Sequence, residues 1–124
     1  MSLILDLPLP NTELSPNKKS GRHWSSTFAT KKMDRQIGYM LTKQALAHQI
    51  IDFDKNDCLL CEMVFIFKNN KHLDDDNALA SFKPMQDGIF EALGLDDRMI
   101  KKRTIDTRLT DKIHPKLLLT LSKL

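Results

Sequence analysis

Cys58-Leu59-Leu60-Cys61-Glu62-Met63-Val64-Phe65-Ile66-Phe67 is the most apolar stretch of the chain, interrupted only by Glu62. It is far short of the roughly 20 residues needed to span a bilayer. Leu59 to Phe67 therefore reads as a strand, and near-continuous apolarity places it centrally in a sheet. The polar run Lys68-Asn69-Asn70-Lys71-His72 leaves that sheet, and Leu73-Asp74-Asp75-Asp76-Asn77 opens a new element. From Asn77 to Leu93 the apolar residues Leu79, Phe82, Ile89, Phe90 and Leu93 recur at helical spacing. Pro84 obstructs this helix, because proline donates no hydrogen bond and clashes with the preceding turn. Either the helix kinks there, or a short turn precedes a helix that has Pro84 in its first turn. Gly94 closes it as a C-cap.

Working outward, Leu3 to Leu7 alternates as a short strand, stopped by Pro8 and Pro10. Asn11 to Arg22 reads as a loop, rich in turn formers and basic residues. Ser25-Ser26-Thr27 can cap a long helix running to about Gln49, with Ile37, Met40, Leu41 and Ala45 in phase and a basic first half (Lys31, Lys32, Arg35). Asp52 to Asp57 is a polar connection. Beyond Gly94, Met99 to Thr107 and Ile113 to Leu121 read as two strands joined through Thr110-Asp111-Lys112. Pro115 falls early in the second, which predicts an edge position. The order strand, helix, strand, helix, strand, strand predicts an α/β (α+β) fold: one domain over residues 1–124, with a mixed sheet of about four strands and two main helices.

Composition narrows the class. Hydrophobic residues make up 41% of 124 residues, within the globular range, which argues against wholesale disorder. The start, Met1-Ser2-Leu3-Ile4-Leu5-Asp6, lacks a basic leader, so a signal peptide is not expected and a cytoplasmic location is. Cys58 and Cys61 form a C-x-x-C, but a structural zinc site normally needs four ligands and a redox pair usually opens a helix. Inside a strand they read as two core thiols. Charge is unevenly spread: residues 1–57 carry 8 Lys/Arg against 6 Asp/Glu, residues 58–97 carry 3 against 8, and residues 98–124 carry 8 against 2. An acidic middle between basic flanks suits a carboxylate site surrounded by phosphate-binding surface, though solvated surface charge gives the same pattern.

The acidic residues are Asp74, Asp75 and Asp76, followed by Asp96 and Asp97. Phosphodiester hydrolysis builds charge on the attacking and leaving oxygens, and a divalent ion can neutralise it and activate water. Magnesium favours one or two carboxylates with water and substrate phosphate. If Asp76 opens the helix, Lys83 lies seven residues on and Asp87 four further, on one stripe opposite Phe82 and Phe90. A lysine there can hold the scissile phosphate. The same aspartates could simply cap a helix and form an exposed turn. A calcium loop fails, because Leu79 stands where its glycine should be.

In order, Asp74-Asp75-Asp76-Asn77, Lys83-Pro84-Met85-Gln86-Asp87-Gly88 and Gly94-Leu95-Asp96-Asp97 resemble the D-x-D-N…K…D…DD signature of RusA-type Holliday junction resolvases, a family common in phages and prophages. Leu7-Pro8-Leu9-Pro10 and Ser15-Pro16-Asn17, with the basic loop after them, resemble the family's N-terminal substrate-side segment. The resemblance covers roughly residues 5 to 107. It implies a homodimeric endonuclease that binds four-way DNA junctions and makes paired nicks with magnesium, with manganese as a substitute. By position, Asp74, Asp76 and Asp97 match the catalytic, metal-holding aspartates, Lys83 the essential lysine and Asn77 the signature asparagine. Lys83 follows Asn77 by six residues where the shorter family form has three, a shift of nearly one helical turn, about 4.5 Å.

A four-way junction is two-fold symmetric, and one acidic site per chain makes a symmetric dimer the simplest route to two cuts. Asn17, Lys18, Lys19 and Arg22 at one end, and Lys101, Lys102, Arg103 and Arg108 at the other, are the candidate DNA contacts. His23 and Trp24 could stack on an unpaired base, although Trp24 reads first as a packing residue, and His72 as a loop histidine. Two other readings stay open: a metal nuclease acting on other branched DNA, and a non-catalytic DNA-binding module.

Overall fold

A computed structural model describes residues 2–11, 28–70 and 73–124. Asn17, Lys18, Lys19, Arg22, His23, Trp24, the capping run Ser25 to Thr27, and His72 lie outside the described residues.

The elements run β1 (Leu3–Leu7), α1 (Phe28–Leu46), β2 (Leu59–Phe67), α2 (Asp75–Leu93), a 3-10 turn (Asp97–Met99), β3 (Ile100–Thr110) and β4 (Lys116–Lys123). The four strands form one mixed sheet in the order β1-β4-β2-β3. β2 and β3 are parallel, linked by α2 as crossover, while β4 runs antiparallel to both β1 and β2. The result is the expected small α+β domain with two helices. No helix among the described residues is long and apolar enough to cross a membrane.

Strand alternation makes the core. Leu3, Leu5 and Leu7 of β1, Leu59, Cys61, Met63, Phe65 and Phe67 of β2, and Leu117, Leu119 and Leu121 of β4 are all buried. Facing them, α2 supplies Ala78, Phe82, Met85, Ile89 and Phe90 to the same cluster. The alternate residues Ile4, Asp6 and Glu62 are exposed, so this is a two-layer arrangement with its core on one sheet face.

Three expectations need correction. Ile113 to Leu121 is not an edge strand: β4 lies between β1 and β2. Pro115 precedes the strand, which starts at Lys116, and so removes no ladder hydrogen bond. Of the two readings of Pro84, the short turn before a helix fails: Pro84 sits inside α2, which is continuous from Asp75 to Leu93. The two cysteines also part company. Cys61 is in the core and burial pushes its thiol up to about 11, whereas Cys58, just before β2, is exposed.

Register in β3 is irregular. Leu59 pairs with Ile100 but Leu60 pairs with Lys102, so Lys101 is an extra residue in a bulge. That bulge sets Arg103 opposite the buried Cys61 and turns it inward. At the far edge, Gln49 caps β1: its Oε1 accepts from Ile4 N–H at 2.9 Å and its Nε2 donates to Ile4 C=O at 2.8 Å.

The helices meet at two glycines. A Cβ on Gly38 would lie 2.3 Å from the Met85 carbonyl oxygen, and one on Gly88 would lie 1.9 Å from that of Arg35. Only hydrogen at both positions lets the backbones touch.

Candidate functional site

Asp74 ends the β2–α2 loop in extended conformation, and its carboxylate accepts the Asn77 N–H at 2.8 Å, a helix N-cap. Asp75 accepts from the Thr107 hydroxyl at 2.9 Å, tying the start of α2 to β3. Asp76 is exposed in the first turn. Three carboxylates there also complement the positive end of the helix dipole.

At its other end, α2 stops in a Schellman motif. Gly94 adopts the left-handed conformation (φ 70°), its N–H donates to Glu91 C=O at 3.2 Å, and Leu95 N–H donates to Phe90 C=O at 3.1 Å. The chain reverses, Asp96 caps the 3-10 turn through Arg98 N–H, and Met99 anchors that turn in the core. Asp97 is thereby returned to the flank of α2. Its Oδ2 lies 2.9 Å from Gln86 Nε2 and 3.5 Å from Lys83 Nζ. Gln86 is buried, and its Oε1 accepts from Arg103 Nη2 at 2.8 Å. Arg103 Nη1 also donates to Met63 Sδ at 3.3 Å and Cys61 Sγ at 3.6 Å.

The chain Arg103–Gln86–Asp97–Lys83 fixes one carboxylate from behind and sets an ammonium in front of it. Arginine donates only, so Gln86 must present its oxygen to Arg103 and its N–H to Asp97. Gln86 was missed by sequence reasoning; a polar residue in phase with Phe82 and Phe90 was the available signal. Arg103 departs from its expected role as a phosphate contact: it is half-buried under Gln86, while Lys101 and Lys102 are exposed.

Two further arginines of the C-terminal flank are exposed but paired. Arg98 holds Asp96 at 2.8 Å, and this partner keeps the Asp96 carboxyl down at about 2. Arg108 does the same for Asp106, also at about 2. Neither arginine stands as a spare cation.

The signature residues are only partly brought together. Lys83 and Asp97, 14 positions apart, meet. Asp74 and Asp76 stay at the N-terminus of α2, and from Asp76 to Lys83 the helix advances about 10 Å. Among the described residues, no group of three or more His, Cys, Asp or Glu side chains is placed to hold a metal ion. The oxygen donors of Asp74, Asp76 and Asp97 fit magnesium by type, and magnesium asks for only one or two protein carboxylates. Ala80, not Lys83, occupies the position three residues after Asn77, so the lysine sits one turn further from the aspartate pair.

Beside Lys83 a groove of about 610 Å³ runs between α1 and α2, lined by Phe28, Lys31, Lys32, Arg35, Ala80, Lys83, Pro84 and Asp87.

No family model matches the chain. It is similar to an uncharacterized protein of Xylella fastidiosa (strain Temecula1 / ATCC 700964), 35% identical over 94 residues, covering 76% of this chain. The chain spans about 60% of the length of that curated relative.

Proposed function

We propose that the protein is a magnesium-dependent, structure-specific DNA endonuclease that resolves four-way junctions by paired nicks, acting as a homodimer of the RusA type. The observation that carries the reading is the convergence of Lys83 and Asp97 at 3.5 Å, next to a basic groove. These are two residues of the signature, from separate elements, and one is braced by a buried amide.

The roles follow from position. Lys83 Nζ, half-exposed, would hold a non-bridging oxygen of the scissile phosphate and offset the charge that builds there. Gln86 and Arg103 would keep Asp97 in one rotamer, so that ordering it costs no entropy during reaction. Magnesium bound to Asp97, or to Asp74 and Asp76, would supply an activated water and charge neutralisation. Lys101 and Lys102, exposed at the start of β3, would contact the arms' phosphates.

A second reading has its own support. Asp74 and Asp96 serve as caps and Asp75 bonds Thr107, which are structural uses of the acidic residues. That favours a non-catalytic DNA-binding module.

Labelled four-way junction and matched linear duplex, each incubated with magnesium and with chelator, separate the two. Paired nicks confined to the junction and to magnesium are expected, with loss of cleavage on Asp97→Asn and on Lys83→Ala. Junction binding without cleavage would select the binding module, and a nicked linear duplex would broaden the substrate beyond junctions.

A further inference from the structure

The α1–α2 groove sets Phe28, Lys31, Lys32 and Arg35, none of them in the nuclease signature, beside Lys83 and Asp87. Four cations line it against one carboxylate, Asp87. Arg35 is committed to Glu91 at 2.9 Å and Lys83 is shared with Asp97. Lys31 and Lys32 are exposed and make no ion pair among the described residues. Two exposed ammonium groups without an ion-pair partner among the described residues leave positive charge that an anion would offset.

The other lining residues match a nucleotide rather than a bare anion. Phe28 is 62% exposed at the start of α1, a large ring in water with cations a turn away. Ala80 and Pro84 form an apolar floor. Pro84 has no N–H, so the Ala80 carbonyl lacks the donor that the helix ladder would place four residues on. Asp87 is an acceptor suited to an exocyclic amine of a base. Phosphate, apolar face and amine are the three surfaces of one nucleotide. A cavity of about 610 Å³ is of small-ligand size and holds one or two nucleotides. A concave groove of this size suits an unpaired strand better than base-edge readout of a duplex, whose major groove takes a protruding helix.

We propose that this groove binds one unpaired strand of DNA, with its phosphates on Lys31, Lys32 and Lys83 and a base stacked on Phe28. The inference rests on the nuclease reading for the destination of that strand: Lys83 borders both places, so the groove would feed the phosphate backbone to Asp97.

The test is fluorescence anisotropy of the full chain with a labelled single-stranded oligonucleotide and with its duplex, over a salt series and in chelator. The single strand should bind more tightly than the duplex. Lys31→Ala/Lys32→Ala should lower the salt slope for the single strand by about 1.4, from two lost contacts. Phe28→Ala should weaken binding roughly 5- to 150-fold with the slope unchanged, and Phe28→Trp should restore it. All three side chains are exposed, and the urea midpoint of each variant checks that folding is intact. An unchanged slope in the double lysine variant, or tighter binding of the duplex, overturns the groove. Magnesium-dependent cleavage by the wild type alongside an unchanged slope would sink the groove and spare the nuclease. Groove-dependent binding with no cleavage under any metal would do the reverse.

Discussion

α1 and α2 are each nineteen residues long and pack against one another, yet the balance of what they bury differs. α2 buries Ala78, Phe82, Met85, Ile89 and Phe90 against the sheet. The fully buried residues of α1 are Asp34, Gly38 and Thr42, one stripe at four-residue spacing, while Phe28, Met33 and Met40 face outward. α2 is held by apolar area removed from water. α1 adds half-buried Ile37, Leu41, Ala45 and Leu46 to the edge of that core and relies as well on closeness: Gly38 and Gly88 let two backbones meet, with Asp34 tethering the Asn11 N–H at 3.1 Å. α2 thus anchors the site in the core, and the groove lies where α1 packs across it.

Truncating the anchor should have the largest effect. Phe82→Ala is expected to cost about 3–5 kcal/mol in urea unfolding, whereas Met40→Ala on the outer face of α1 should stay within about 0.5 kcal/mol. Equal losses at the two positions would erase the distinction. Gly88→Ala comes next. Alanine gains about 1 kcal/mol in helix propensity, but its Cβ meets a backbone oxygen that cannot rotate away, so a net loss of about 2 kcal/mol is expected. A variant more stable than wild type would show that the helices do not touch there.

Gln86→Leu sharpens the contrast from inside α2. It leaves Arg103 and Asp97 without their shared partner and should cost about 2 kcal/mol, with a fall in junction cleavage larger than that of a folding-matched variant outside the site such as Met40→Ala. Retained cleavage would remove Gln86 from the site. The smallest effect concerns Asp34. Burial raises its pKa, and the Asn11 N–H only partly opposes this. The protonated form is thus the one the fold favours: its contribution is full below the ordinary carboxylate pKa and is lost as pH rises through the raised value. Asp34→Asn keeps an acceptor for Asn11 and carries no charge, so its Tm advantage over wild type should grow from pH 4 to pH 7. A difference independent of pH would place the carboxylate in water.

Element order was legible because each element carried its own period: the unbroken apolar run of β2, the phase of Phe82, Ile89 and Phe90 in α2, and Gly94 as its stop. Neighbour relations were not, since they depend on what lies across the sheet. Pro115 looked disruptive within Ile113 to Leu121, but the ladder begins one residue later. Lys101-Lys102-Arg103 reads as one basic run, and only the bulge at Lys101 decides that Arg103 turns inward. A bulge has no signature when the inserted residue is an ordinary lysine. For the site, the meeting of Lys83 with Asp97 followed from the motif, while the buried Gln86 link needed three elements in space. The one-turn offset of Lys83 was visible in the spacing, and its consequence is the distance from Asp76.

The contact at Gly38 and Gly88 reaches beyond stability. Side chains lining a cleft usually absorb a misfit by changing rotamer, but peptide groups pressed together have no such slack. The backbones that carry the groove's two sides are therefore held at a set separation where Gly38 meets Met85 and Gly88 meets Arg35. Substitutions along the groove can change its side chains and charge while that backbone contact stays in place.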